Sequence, residues 1–179
     1  MFTLFGKKKI KEDVVANIFV NSILDTIDNG FPEIIGIIND APEFLASPNL
    51  SESDIDRFTL IVFAANLSFI PQHLRDSIDD RIISLIFSKL SRVFDVNQDR
   101  FENVIKHYQT YLMKVNHPSK NMLYAMSKGI FGKYNLNRFQ DEYFKNMNSP
   151  NPMLLKRLDE AMDNFVWNWD SFNQKYQIT

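Results

Sequence analysis

The 179-residue sequence contains no cysteine, which excludes disulfide bonds, thiolate metal centres and a cysteine nucleophile. Glycine is scarce too. The five glycines, Gly6, Gly30, Gly36, Gly129 and Gly132, never fall into the spacing of a phosphate-binding loop, where clustered glycines let backbone N–H groups close on an anion. No serine stands in the glycine frame of a nucleophile elbow. Of the three histidines, His73, His107 and His117, none pairs with another at i, i+4 spacing or follows a glutamate as in the Glu-x-x-His motif of di-iron bundles. These gaps predict a chain without cofactor or bound metal and without local catalytic machinery.

Charge of one sign is also missing. A formal net charge of -2 and a pI near 5.9 give no general attraction to a phosphate backbone, so nucleic acid is not an expected partner. No apolar run approaches the roughly 20 residues that a bilayer span needs, so no transmembrane segment is expected. The N-terminal order is the reverse of a secretory signal, with Phe2, Leu4 and Phe5 ahead of the basic run Lys7, Lys8, Lys9 and Lys11. Residues 1–9 therefore read as a basic and apolar start segment, free to fray or dock, before a single domain at 10–179. The functional alternative is peripheral membrane contact through residues 1–11, in which Phe2, Leu4 and Phe5 enter the interface while Lys7, Lys8 and Lys9 meet anionic headgroups. The expected location is cytoplasmic. The wealth of Asn, Lys, Ile and Phe is what an AT-rich, bacterial coding sequence would produce.

What the chain does have is apolar content, 45% of its residues, enough for one substantial core in a domain of this length. The segment at 59–74 has no Asp, Glu, Lys or Arg, although these residues make up 23% of the whole. Its apolar residues point in nearly every direction on a helix, which marks a buried element. Pro71 should end it, assigning His73 and Leu74 to the next helix and leaving residues 60–70 as the centre. The fold class is thus all-α, a single-domain bundle of about seven or eight helices around that central helix.

Around it, apolar periodicity predicts a first helix over 10–28 that stops at Asn29-Gly30, then a short helix at 31–41, where a strand is disfavoured because no second convincing strand exists to pair with it. Ser51 and Ser53, each with an aspartate three residues on, are candidate caps for the central helix. Further helices follow at 71–94, from Phe101 to the residues before His117-Pro118, after a Ser119 cap, and briefly near Tyr143. The last helix carries Leu155, Leu158, Met162, Phe165, Trp169, Phe172 and Tyr176 in alternating steps of three and four, an a/d-type seam suited to an intramolecular groove.

Few residues stand out functionally. On an unbroken last helix Trp167 would lie about 180° from the seam, needing either a second covering layer or a partner, so Trp167 is the candidate anchor for a partner chain. His107, near Glu102 and Tyr111, and the aspartates Asp76, Asp79 and Asp80 are candidate ligand or metal residues, each explained equally well as solvated surface. Asn66, set among apolar residues, must find hydrogen-bond partners inside the protein. The reading is a non-enzymatic protein–protein interaction or adaptor module whose partner is an unidentified protein or a second copy. The alternatives are a bundle enclosing an apolar small molecule, and an enzyme using His107 with nearby acids.

Overall fold

A computed structural model describes residues 6–75 and 77–179. Its α-helices are α1 (Glu12–Asn39), α2 (Ile55–His73), α3 (Ile78–Val93), α4 (Gln98–Val115), α5 (Met122–Lys133), α6 (Glu142–Met147), α7 (Pro152–Met162) and α8 (Trp169–Lys175). Single 3-10 turns occupy Glu52–Asp54, Leu136–Phe139 and Asp163–Phe165. Two short strands, β1 (Lys8–Ile10) and β2 (Tyr176–Ile178), complete the described elements. The protein is an all-α bundle.

The central helix is α2. Phe58, Ile61, Val62, Phe63, Ala64, Ala65 and Ile70 are inaccessible to water, and α1, α3, α4 and α5 all pack against it. With neighbours on so many sides, an apolar residue at almost any angle around its axis finds a partner, which is why no polar face is present in its sequence. It begins on two fixed points. The Ser51 N–H donates to the Asp54 carboxylate at 2.9 Å, and the Phe58 N–H, near the helix start where partners within the helix run out, donates to the Tyr134 hydroxyl at 3.1 Å. Tyr134 in turn donates to the Asp54 carbonyl at 2.6 Å, and burial pushes its phenol well above the usual tyrosine range.

Two expected helix boundaries are absent. α1 runs through Asn29-Gly30 to Asn39, so 31–39 is its second half rather than a separate helix. Gly30 keeps helical geometry because its missing side chain serves packing instead: a Cβ there would lie 2.5 Å from the Phe165 ring. Pro32, on the exposed face, forfeits one helical hydrogen bond. α2 likewise passes Pro71 and ends at His73, where the Leu74 N–H still reaches the Ile70 carbonyl at 3.1 Å. A proline this close to the end removes one bond without opening the last turn, so His73 belongs to the central helix. α3 starts only at Ile78, and Asn121 rather than Ser119 caps α5, accepting the Leu123 N–H at 3.0 Å.

The last helix also divides. α7 ends at Met162, the 3-10 turn carries Phe165, Val166 is extended, and α8 begins after Asn168, whose side chain accepts the Ser171 N–H at 2.8 Å. Leu158, Met162, Phe165, Trp169 and Phe172 are still buried. Leu155 and Tyr176, at the two ends of the seam, are half-buried, so the seam describes burial correctly over its middle and continuity wrongly. Beyond α8, β2 pairs in parallel with β1, in the register Lys8 to Tyr176, Lys9 to Gln177 and Ile10 to Ile178. A second strand exists after all, and Lys8 and Lys9 are held by a ladder instead of fraying. Strands of three residues at opposite ends of the chain leave no periodic signal to detect.

No helix among the described residues is long and apolar enough to cross a membrane. The segment after α1 is tied down by Asn39, which exchanges two hydrogen bonds with the Leu50 backbone, and by Glu43, which takes both Arg157 guanidinium nitrogens of α7.

Gly30 and Gly36 make a paired test of this packing. Alanine at Gly36, where nothing lies within 4 Å, is expected to stabilise the protein by about 0.5–1 kcal/mol through helix propensity. At Gly30 the collision with Phe165 should outweigh that gain and leave a net loss of about 1–2 kcal/mol, both read from chemical denaturation. Arg157 holds the Glu43 carboxyl below its ordinary value of 4.5. Since the unfolded chain then binds that proton more tightly, the contribution is complete above about pH 4.5 and disappears as pH falls through the lower folded value. Glu43→Gln should thus cost about 1 kcal/mol at neutral pH and converge with the wild type in acid.

Candidate functional site

Asn66 decides the geometry at the C-terminal end of the chain. Its amide donates to the Val62 carbonyl on its own helix at 2.9 Å and to the Phe165 carbonyl at 2.8 Å, and its carbonyl oxygen accepts the Trp167 N–H at 2.8 Å. The side chain is 1% exposed. Two backbone groups that an unbroken helix would have used within itself are bonded to α2 instead, and this turns the chain between α7 and α8. Asn66 is thus the structural contact expected of a polar residue in an apolar setting.

The turn sets Trp167 and Trp169 on a common aromatic cluster. Trp169 is buried and stacks on Phe19 of α1 at 5.7 Å between ring centres, while Trp167 meets Phe19 edge-on at 5.7 Å and Phe172 at 5.9 Å. Because the helix is broken, Trp167 is not on a face opposite the seam; it lies half-buried beside it. Its indole Nε1 is enclosed without a hydrogen-bond partner. Trp167 borders an open groove of about 360 Å³ between α1 and residues 164–176. Ile18 and Ile23 form one wall and Val166, Phe172 and Tyr176 the other, with Lys175 at the rim. Lys175 makes no ion pair among the described residues.

The other candidates from sequence do not converge. His107 is exposed on α4 and has no hydrogen bond or ion pair among the described residues, while its neighbour Glu102 accepts from Gln98 and faces Lys106 at 4.0 Å. Asp79 and Asp80 sit on a different helix, α3, where Asp79 accepts the Asp80 N–H at 2.9 Å. Arg81, which follows them in sequence, makes a bidentate pair with Glu12 of α1, at 2.6 Å for the shortest contact, and holds the Glu12 carboxyl below its usual range. Among the described residues, no group of three or more His, Asp or Glu is placed to hold a metal ion. Asp76, and the apolar residues Phe2, Leu4 and Phe5 of the expected membrane contact, lie outside the described residues. Lys7, Lys8 and Lys9 are exposed.

One buried polar pair was not foreseen. Burial pushes the Asp159 carboxyl of α7 above the ordinary carboxylate range; the Ser127 hydroxyl and Lys128 pull it back, but Asp159 Oδ1 and Ser127 Oγ are left without well-formed hydrogen bonds. Ser127 is wholly inaccessible, so its hydroxyl offers a substrate no approach, while Asp159 is half-buried. Sequence reasoning also missed His73, which stacks on Trp169 at 6.5 Å and lies 3.5 Å from Asp170, and the Asn168 cap that starts α8. The latter had a local signal in the Asn-Trp-Asp-Ser run, a capping residue followed by an acid in the first turn.

No family model matches the chain, and neither curated proteins nor solved structures gave a match.

Replacing Asn66 by leucine keeps volume and helix propensity but leaves the Phe165 carbonyl and the Trp167 N–H without partners in the core. The expected loss is about 2–4 kcal/mol, with a red-shifted and weakened tryptophan emission as the cluster loosens; an unchanged spectrum and stability would remove Asn66 from this role.

Proposed function

We propose that this protein is a non-enzymatic protein–protein interaction module and that its docking face is the groove between α1 and residues 164–176. The observation that carries the reading is Trp167. A large aromatic side chain stands at the edge of an apolar groove, with its backbone held by Asn66 and its ring held by Phe19 and Phe172. Aromatic residues fixed before binding are the usual energetic anchors of interfaces, because little side-chain freedom remains to be lost. The partner that fits is a chain presenting a short row of apolar side chains with an acidic residue positioned for Lys175, supplied by another protein or by a second copy. On compositional grounds the source is bacterial, and the proposed location is the cytoplasm.

A second reading has one observation in its favour. The groove volume of about 360 Å³ lies within the range of small-molecule sites, roughly 300–1,000 Å³. Its open side suits a peptide better than an apolar molecule, which gains most from full enclosure. An enzyme using His107 has no such observation, since among the described residues no acid pairs with that side chain.

The test should spare Trp167, because its removal would damage the aromatic cluster as well as the groove. Ser171→Trp fills the groove from an exposed position and Lys175→Glu reverses the rim charge. Both should leave stability within about 0.5 kcal/mol. Self-association by sedimentation and affinity capture from the native host, each compared between wild type and variants, supply the readout. A dimer or a stoichiometric partner lost in both variants supports the reading, and association untouched by either one refutes it.

A further inference from the structure

A second groove, of about 540 Å³, opens where β1, the end of α2, the start of α3 and β2 meet. Its polar lining is Lys7, His73, Arg75, Asn173, Tyr176 and Gln177, over the apolar side chains of Leu74, Ile78 and Ile178. Among the described residues no carboxylate lines it. We infer that this groove binds a phosphate ester, with Arg75 and Lys7 neutralising the phosphate and its organic part lying over Leu74 and Ile178.

The cations are available there. Arg81 and Arg157 are each committed to a glutamate and Arg92 to Ser88, whereas Arg75 and Lys7 have no ion pair or side-chain hydrogen bond among the described residues. Among the described residues the acids nearby are engaged or set apart. Asp79 Oδ1 accepts the Asp80 N–H, and Asp170, strongly exposed, faces His73 Nδ1 at 3.5 Å from outside the lining. The backbone is not the donor set, because the Ile78 and Asp79 N–H groups at the start of α3 already donate to the Arg75 carbonyl at 3.1 and 3.2 Å. What remains is a set of side-chain donors: a guanidinium fork, an ammonium, the Gln177 amide, the second N–H of the Asn173 amide, whose first donates to the His73 carbonyl at 3.3 Å, a phenol and an imidazole. Such a set suits an anion with three or four acceptor oxygens better than a planar carboxylate, and the guanidinium can engage two of them at once. The groove is too large for inorganic phosphate alone, and its apolar floor requires a substituent. Only the parallel ladder brings Lys7 here, by pairing its neighbour Lys8 with Tyr176. Exposed Lys8, Lys9 and Lys11 add a longer-range attraction for the same anion.

The ester could belong to a soluble metabolite or to a phospholipid headgroup, and the two sources separate experimentally. Glycerol 3-phosphate is titrated into the full chain and followed by the side-chain amide resonances of Asn173 and Gln177. In parallel, flotation is measured with vesicles of phosphatidylcholine alone or mixed with phosphatidylglycerol. Arg75→Gln with Lys7→Gln is the test variant and Arg92→Gln the control, with melting temperatures recorded for both. Saturable shifts without flotation identify a soluble ester, and flotation that requires phosphatidylglycerol identifies a headgroup. In either case affinity should fall at least about tenfold in the double variant, be retained in Arg92→Gln, and weaken with added salt. Absence of both responses overturns the inference. So does binding that survives in the folded double variant, since that would reduce the effect to the general attraction of Lys8, Lys9 and Lys11.

Discussion

Two hydrogen bonds made by one buried amide hold the C-terminal part of this protein in place. Asn66 is 1% exposed in the central helix, where an unpaired polar group would cost several times what a satisfied one contributes, so its partners are obligatory. It finds them in the Phe165 carbonyl and the Trp167 N–H. Satisfying Asn66 and continuing the α7 helix are mutually exclusive, because both need the single Trp167 N–H. The chain therefore breaks, and the break places Phe165 on Gly30 and both tryptophans on Phe19.

From that break the rest of the C-terminus follows. α8 starts on the Asn168 cap, runs for two turns and delivers β2 alongside β1. The two ends of the described chain are thereby joined, and the Thr179 N–H extends the ladder by reaching the Ile10 carbonyl at 2.9 Å. Tyr176 stands at the junction and lines both grooves, the apolar one beside Trp167 and the cationic one beside Arg75. An occupant of either would touch the same tyrosine, so the two surfaces share one structural support even though they differ in chemistry.

Helical elements were legible where burial alone decides a residue's type. The apolar faces of α1, α3 and α4 and the all-round apolar character of α2 could be read because each residue needs only to be on the correct side of its helix. Helix ends were less legible. Gly30, Pro32 and Pro71 carry the local chemistry of termination, yet none terminates a helix, because a glycine can be required by a neighbouring ring and a proline can be accommodated on an exposed face or in a last turn. Neither reason is present in the local sequence. The candidate sites fared similarly: Trp167 was conspicuous by residue type, while His73, Arg75 and Lys175 look like any surface residue until the fold shows what they border.

By itself, the sequence determined the class of fold, the identity of the central helix and the burial of the middle of the C-terminal seam, since hydrophobic periodicity encodes which side of an element avoids water. Tertiary structure alone decided where that seam breaks, that the chain ends pair as strands, and which cations meet around one groove. Those outcomes depend on hydrogen bonds between residues about 100 or more positions apart, from Asn66 to Trp167 and from Lys8 to Tyr176. Local periodicity carries no record of contacts at that separation.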